Sequence, residues 1–228
     1  MANILELKNI DKIYGEKIKT QVLFDVNLEF EESSFNSIIG ASGSGKSTLM
    51  NIMGTLDKPT NGEVFINGTS TGNLNKNQLS ELRNETIGFI FQFHYLLPEF
   101  SVFDNVMMPF LIKNGKETKE AVKRANDLIE IVGLTKVRNN MATDISGGQQ
   151  QRAAIARALI NNPRIILGDE PTGNLDSEST ETVYNLLKEI NQEYKSTFIV
   201  ITHDKRIAEK ADRILEIKDG IINMDIRK

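Results

Sequence analysis

Residues 40–48 read Gly-Ala-Ser-Gly-Ser-Gly-Lys-Ser-Thr, which completes the pattern G-x-x-x-x-G-K-[ST]. Such a segment holds a chain of phosphates. Glycines at 40, 43 and 45 let successive backbone N–H groups point inward at phosphate oxygens, and a following helix adds the positive end of its dipole. The whole run, Gly40, Ala41, Ser42, Gly43, Ser44, Gly45, Lys46, Ser47 and Thr48, is the candidate nucleotide-binding segment. Lys46 carries a point charge to the β- and γ-phosphates, and the Ser47 hydroxyl is placed to ligate Mg²⁺. An apolar strand, Ser34 to Ile39, precedes the loop, which is the context the motif demands and a chance glycine-rich turn lacks.

A second cluster supplies carboxylates. Ile165-Ile166-Leu167-Gly168-Asp169-Glu170 is a buried strand ending in two acids. Asp169 is placed to hold the Mg²⁺ shell through water, and Glu170 to polarise the water that attacks the γ-phosphate. A solvated acidic turn is the plainer reading of these two residues. Metal-assisted phosphoryl transfer needs such a carboxylate supply, and Lys46 tips the choice toward it. A third cluster, Ser146-Gly147-Gly148-Gln149, opens a helix as a further anion site. Ser146 can cap that helix and donate to a phosphate, while Gly147 and Gly148 allow close approach of the backbone. Taken alone, it is a plain serine N-cap.

These groups must be positioned by a sheet and its helices. Leu5 to Ile10, Val22 to Phe30 and Glu63 to Asn67 alternate apolar and polar residues, which predicts half-buried strands in a small antiparallel sheet. Ile38-Ile39, Ile165 to Leu167 and Phe198 to Ile201 are continuous apolar runs, as expected of parallel strands buried on both faces. Thr180 to Glu193 places Val183, Leu186, Leu187 and Ile190 on one helical face, and Gln149 to Ile160 is an alanine-rich helix stopped before Pro163. From Val102 to Val137 the pattern is helical, with Glu117 to Val132 amphipathic and Gly133 placed as a C-cap. Arg213 to Ile217, Lys218-Asp219-Gly220 and Ile221-Ile222 predict a hairpin. The plan is α/β: a mainly parallel core sheet, an N-terminal antiparallel β part and an inserted helical part at about 93–160, together one domain over 1–228.

Composition narrows the class. With 228 residues and 39% apolar content the chain can bury a core. A net charge of −4 argues against nucleic acid as the main partner. There is no cysteine, so disulfides and thiolate metal sites are excluded. No apolar run approaches the roughly 18 to 20 residues of a bilayer span, and residues 1–6 carry no basic-then-apolar leader pattern.

Taken together, the loop at Lys46, the Ser146 stretch 100 residues later and Asp169-Glu170 close behind resemble the ATP-binding-cassette ATPases over nearly the whole chain. That resemblance implies the P-loop fold, ATP and Mg²⁺ as ligands, and ATP hydrolysis. It also extends the set of site residues. Tyr14 matches the aromatic that stacks on adenine. Gln92, after the buried strand Ile87 to Phe91, matches the glutamine that touches Mg²⁺ or the attacking water. His203 matches the switch histidine near the γ-phosphate, and Asn174-Leu175-Asp176 the loop that crosses to the other subunit. His94 falls outside any catalytic spacing and reads as a loop histidine. Glu170, His203, Lys46 and Gln92 are thus the catalytic candidates, and Ser47, Gln92 and Asp169 the metal ligands.

In this family two copies pack head to tail, so that Ser146, Gly147 and Gly148 of one close over the nucleotide held by Lys46 of the other. The expected partners are a second copy and integral membrane subunits, LolC/LolE-like or MacB-like, with no nucleic acid. Phe93 to Phe100, with Phe103, Met107, Met108 and Phe110, is the most aromatic stretch. It reads mainly as core of the helical insert, with a part open to a partner's helix. The same stretch, with Thr172 to Asp176, is similar to ATPases of the lipoprotein-releasing and macrolide-exporter class. This implies a peripheral subunit on the cytoplasmic face of the inner membrane, releasing lipoproteins. Macrolide or peptide export, or driving a cell-division complex, stay open. A soluble ATPase acting on DNA or ribosomes would instead need a long coiled-coil insert or a second cassette with a basic surface. Ile145, Gly168 and the lead-in Met141 to Asp144 depart from the usual pattern, and none removes a reactive group.

Overall fold

The computed structural model describes residues 2–228. Its N-terminal third contains β1 (Asn3–Tyr14), β2 (Thr20–Glu31), β3 (Phe35–Ile39), α1 (Lys46–Met53), β4 (Asn61–Ile66) and β5 (Thr69–Ser70). Then come α2 (Lys76–Thr86), β6 (Ile87–Phe91), α3 (Val102–Asn114), α4 (Lys119–Ile131), α5 (Gly147–Leu159) and β7 (Ile165–Asp169). The chain continues through α6 (Ser177–Tyr194), β8 (Thr197–Ile201), α7 (Lys205–Ala208), β9 (Arg213–Lys218) and β10 (Ile221–Arg227).

β2-β1-β4-β5 form an antiparallel sheet, and β10-β9-β3-β8-β7-β6 a second sheet that is parallel except for the β9–β10 hairpin. The continuous apolar runs have a direct explanation. Ile165, Leu167, Ile199 and Ile201 join the core shared with α1 and the antiparallel sheet, while Ile166, Phe198 and Val200 join the core shared with α3 to α6. Alternate residues of one strand therefore feed two separate cores. In the helical core Phe35 stacks on Phe198 with centroids 5.3 Å apart and meets Tyr184 edge-on at 5.5 Å.

Parallel pairing aligns the strand ends. Phe91 pairs with Asp169, Asp169 with Ile201, and Ile201 with Ile38. Gln92, Glu170, His203 and Gly40, which follow those strands, must therefore emerge along one edge. Ligands of open α/β sheets bind outside this carboxyl edge.

Several elements differ from expectation. β1 runs well beyond Leu5 to Ile10, because Asn9 adopts φ 51° at a shift of register and lets the strand bend without ending. β3 starts at Phe35, one residue later than expected. α2 was not foreseen: it is polar, buries only Leu79 and is held by a capping box between Asn75 and Gln78. The Asp-Gly turn is as expected, with Asp219 at φ 49° and Gly220 at φ 79°.

Gly88 lets β6 approach α5. A Cβ there would lie 2.5 Å from the Ala158 carbonyl oxygen and 2.7 Å from Ile166 Cδ1. Gly88→Ala is expected to cost about 1–3 kcal/mol through overpacking. Calorimetry should show the thermal midpoint lowered by roughly 2–12 °C.

Candidate active site

The phosphate loop leaves β3 and enters α1, with Gly45 at φ 106° as the residue before the helix. A side chain is strained at that φ, and a Cβ would also press within 2.9 Å of Leu23 Cδ2. The loop is braced from the far end of the sequence. The Gly220 N–H donates to the Ser44 carbonyl at 3.0 Å, and the Phe24 N–H to the Gly220 carbonyl at 3.0 Å. A trans peptide directs its C=O and N–H oppositely, so holding the Ser44 carbonyl turns the Gly45 N–H the other way. Gly220 has no substitute, because a Cβ would lie 2.2 Å from the Val22 carbonyl oxygen.

The loop walls a cavity of about 490 Å³ lined by Gly40, Ser42, Gly43, Gly45, Lys46, Ser47, Thr48, Asp169, Glu170 and His203, with Val22. That size suits a small ligand. Lys46 is almost buried and its Nζ donates to the Gly40 and Ala41 carbonyls at 2.9 and 2.7 Å. Asp169 and Ser47 share the cavity wall. Burial, then the neighbouring charge of Glu170, raises the Asp169 pKa, and the Ser47 hydroxyl and Lys46 only partly oppose them. A cation bound beside Asp169 would relieve both causes.

Glu170 stands at φ 46° with its N–H on the Ile201 carbonyl at 2.9 Å. A left-handed conformation at a non-glycine residue is a strained one that the surroundings must hold. Its Oε2 lies 3.0 Å from His203 Nδ1. Sequence reasoning placed these two residues on separate strands, and the parallel pairing of β7 with β8 brings them together.

Other expected residues sit at the rim or beyond it. Gln92 is not part of the wall; its Nε2 donates to Asn174 Oδ1 at 3.3 Å. A Cβ on Gly173 would lie 2.9 Å from that nitrogen and 3.0 Å from Glu170 Oε2, so Gln92 and Glu170 close on the same backbone. Tyr14, 41% exposed at the end of β1, donates its hydroxyl to Asp57. Asp176 is occupied as the cap of α6, accepting from the Ser179 N–H at 2.8 Å. The Ser179 backbone bond, with its hydroxyl second, holds the Asp176 carboxyl below the usual range.

Ser146, Gly147, Gly148 and Gln149 lie outside the cavity. Ser146 caps α5, and the Gln149 side chain accepts from the Ser146 N–H at 2.8 Å. Gly148 faces Ser179 on α6. The two candidate anion-binding segments of the chain are thus held apart within one copy.

The aromatic stretch divides. Val102, Val106 and Met107 are core, and Phe103 and Phe110 pack against it. Phe93 and Tyr95 stand well exposed, beside the partly exposed Leu97, Phe100 and Met141. His94 is a loop residue, as expected; its carbonyl and that of Tyr95 accept from Arg157 at 2.6 and 2.5 Å. Arg157 escaped the sequence reading, because nothing local marks a partner more than sixty residues away. Between α2, β6 and α5 runs an apolar groove of about 390 Å³ with Leu56, Phe89, Phe91 and Pro109 in its wall.

Known proteins share this arrangement. Residues 23–173 match the family described as ABC transporter. The chain is 48% identical over 224 residues to the lipoprotein-releasing system ATP-binding protein LolD 1 of Rhodopseudomonas palustris, covering 97% of this chain and 99% of that one. It is 45% identical to the LolD of Shewanella frigidimarina over 97% of this chain and 92% of the relative. A dimeric ATP-binding cassette, solved in a post-hydrolysis state with ADP and Pi, superimposes with a TM-score of 0.90 at 43% identity over 98% of both chains. A phosphate loop, a strand-end acid pair and a helical insert in one α/β frame, matched across most of the sequence, identify the chain as a member of the ATP-binding-cassette transporter family.

Proposed function

We propose that this chain is the ATP-hydrolysing subunit of a lipoprotein-releasing transporter, working at the cytoplasmic face of the inner membrane. One observation carries the mechanism: Lys46, Ser47, Asp169, Glu170 and His203 share a cavity that Ser146, Gly147 and Gly148 do not reach. A second copy, packed head to tail, brings its Ser146 segment over that cavity.

Each residue has a role in this reading. N–H groups of the loop from Gly40 to Thr48 bind phosphate oxygens, and Lys46 leaves the Gly40 and Ala41 carbonyls to meet the β- and γ-phosphates. Tyr14 stacks on the base. Ser47 and Asp169, a hydroxyl and a carboxylate on the same cavity wall, are hard oxygen donors suited to Mg²⁺, with Gln92 added from the rim. Held there, Mg²⁺ would supply neutralisation of the phosphate charge. Among the described residues no cluster of three His, Cys, Asp or Glu could hold a metal unaided. Glu170 accepts a proton from the attacking water, and His203 orients the Glu170 carboxylate and faces the γ-phosphate. Asp176 fixes the start of α6, beside which Gly148 packs.

ATP supplies negative charge to an interface lined with donors, so it favours the closed dimer, and hydrolysis reopens it. No helix among the described residues is long and apolar enough to cross a membrane. The work passes to separate membrane subunits, docked on the apolar groove and the exposed Phe93 and Tyr95. The LolD relatives, similar from end to end, support lipoproteins as the cargo.

The test is to isolate the tagged chain from native membranes with ATP and Mg²⁺ and identify what copurifies. Two different membrane subunits with a bound lipoprotein are expected. A single type of membrane subunit would point to an exporter or a division complex, and membrane-free material would overturn the transport reading.

A further inference from the structure

Lys12 and Tyr14 are two residues apart on β1 and share one face of that strand. The Lys12 ammonium lies 4.7 Å from the centre of the Tyr14 ring, within reach of a cation on a π face. It is not a loose surface charge. Lys12 is 8% exposed, and Nζ donates to Asp57 Oδ1 and to the Lys58 carbonyl, each at 2.7 Å. The other oxygen of the same carboxylate accepts from the Tyr14 hydroxyl at 2.7 Å. One face of the ring is capped and its hydroxyl is tethered, while 41% of the residue stays exposed.

Burying an ammonium carries a desolvation cost that its ion pair at best offsets, so stability alone is a weak account of this arrangement. Its location supplies a better one. Asp57 belongs to the turn that ends α1, where the Leu56 and Asp57 N–H groups both reach the Asn51 carbonyl, at 2.8 and 3.1 Å. The first residue of that helix is Lys46. The helix is therefore a rigid spacer of about 12 Å between the ring clamp and the phosphate loop.

We propose that Lys12 and Asp57 are positioning residues for the nucleotide base, presenting only the outer face of Tyr14 to it at a set distance from the phosphates. This rests on Tyr14 being the base platform. The ammonium draws π electrons toward the capped face. The opposite face is depleted and stacks better on an electron-rich purine.

The experiment compares two ligands on the full-length chain by displacement of a fluorescent nucleotide: Mg·ATP, and magnesium tripolyphosphate, which has phosphates and no base. Lys12→Met is expected to weaken ATP about tenfold and to leave tripolyphosphate unchanged. Turnover at saturating ATP should hold while KM rises, and Lys12→Arg, which keeps the cation, should restore most of the ATP affinity. Equal weakening of both ligands would make Lys12 a structural residue only and overturn the proposal. If Lys12→Met changes neither ligand while Tyr14→Ala weakens ATP alone, the clamp fails and stacking stands. If Tyr14→Ala leaves ATP affinity intact, the platform itself falls, and the clamp with it.

Discussion

Glu170→Gln is expected to lower ATP turnover by about 10³-fold while leaving ATP bound. The substitution keeps size and can still meet His203 Nδ1, 3.0 Å away, but an amide cannot take the proton of an attacking water. Nothing that holds phosphate is altered, since Lys46, Ser47 and the loop N–H groups are untouched. A closed dimer that cannot hydrolyse its ATP has no route to reopen, so it accumulates. Light scattering should report a doubled mass with ATP and Mg²⁺ and a monomer with ADP. A variant that stays monomeric with ATP would break the link between nucleotide and closure.

Lys46→Ala should fail at an earlier step. Among the described residues Lys46 is the one lysine or arginine in the cavity wall, and its Nζ is poised on two carbonyls at the mouth of the loop. Charge-assisted bonds to phosphate contribute roughly 1.5–3 kcal/mol each, so losing the two to the β- and γ-phosphates predicts an affinity for Mg·ATP reduced by about 10²-fold or more. The fold should survive, because the Gly40 and Ala41 carbonyls revert to water. Titration calorimetry on folded protein separates the two variants: Glu170→Gln binds and does not turn over, Lys46→Ala does not bind. Tight binding by Lys46→Ala would shift the burden to the loop backbone.

How much could be read before the structure depended on how local the signal was. Lys46, Asp169 and Ser146 announce themselves because each motif is one loop at one helix or strand end. The buried strands around Leu167 and Val200 were legible because both faces are apolar, and the Asp219-Gly220 turn because two positive φ values need those residue types. α2 was missed because a helix that buries only Leu79 has no apolar stripe; the Asn75 to Gln78 capping box was the available signal. Pairings across the chain left no trace. Lys12 with Asp57 spans 45 residues and Arg157 with the Tyr95 carbonyl 62. The Gly220 brace on Ser44 is a backbone bond, which side-chain patterns cannot encode.

That brace bears on when the protein becomes competent during its own synthesis. β3, which delivers the phosphate loop, is flanked in the sheet by β8 and β9, and both lie more than 150 residues downstream. A chain still emerging from the ribosome has the complete loop motif but neither flanking strand, and no Gly220 to orient the Ser44 peptide. Its two strand edges stay unsatisfied until late, the situation in which chains are slow to fold and prone to aggregate. A nucleotide that binds only the finished loop would then act as a selective clasp, stabilising the molecules whose last strands have docked.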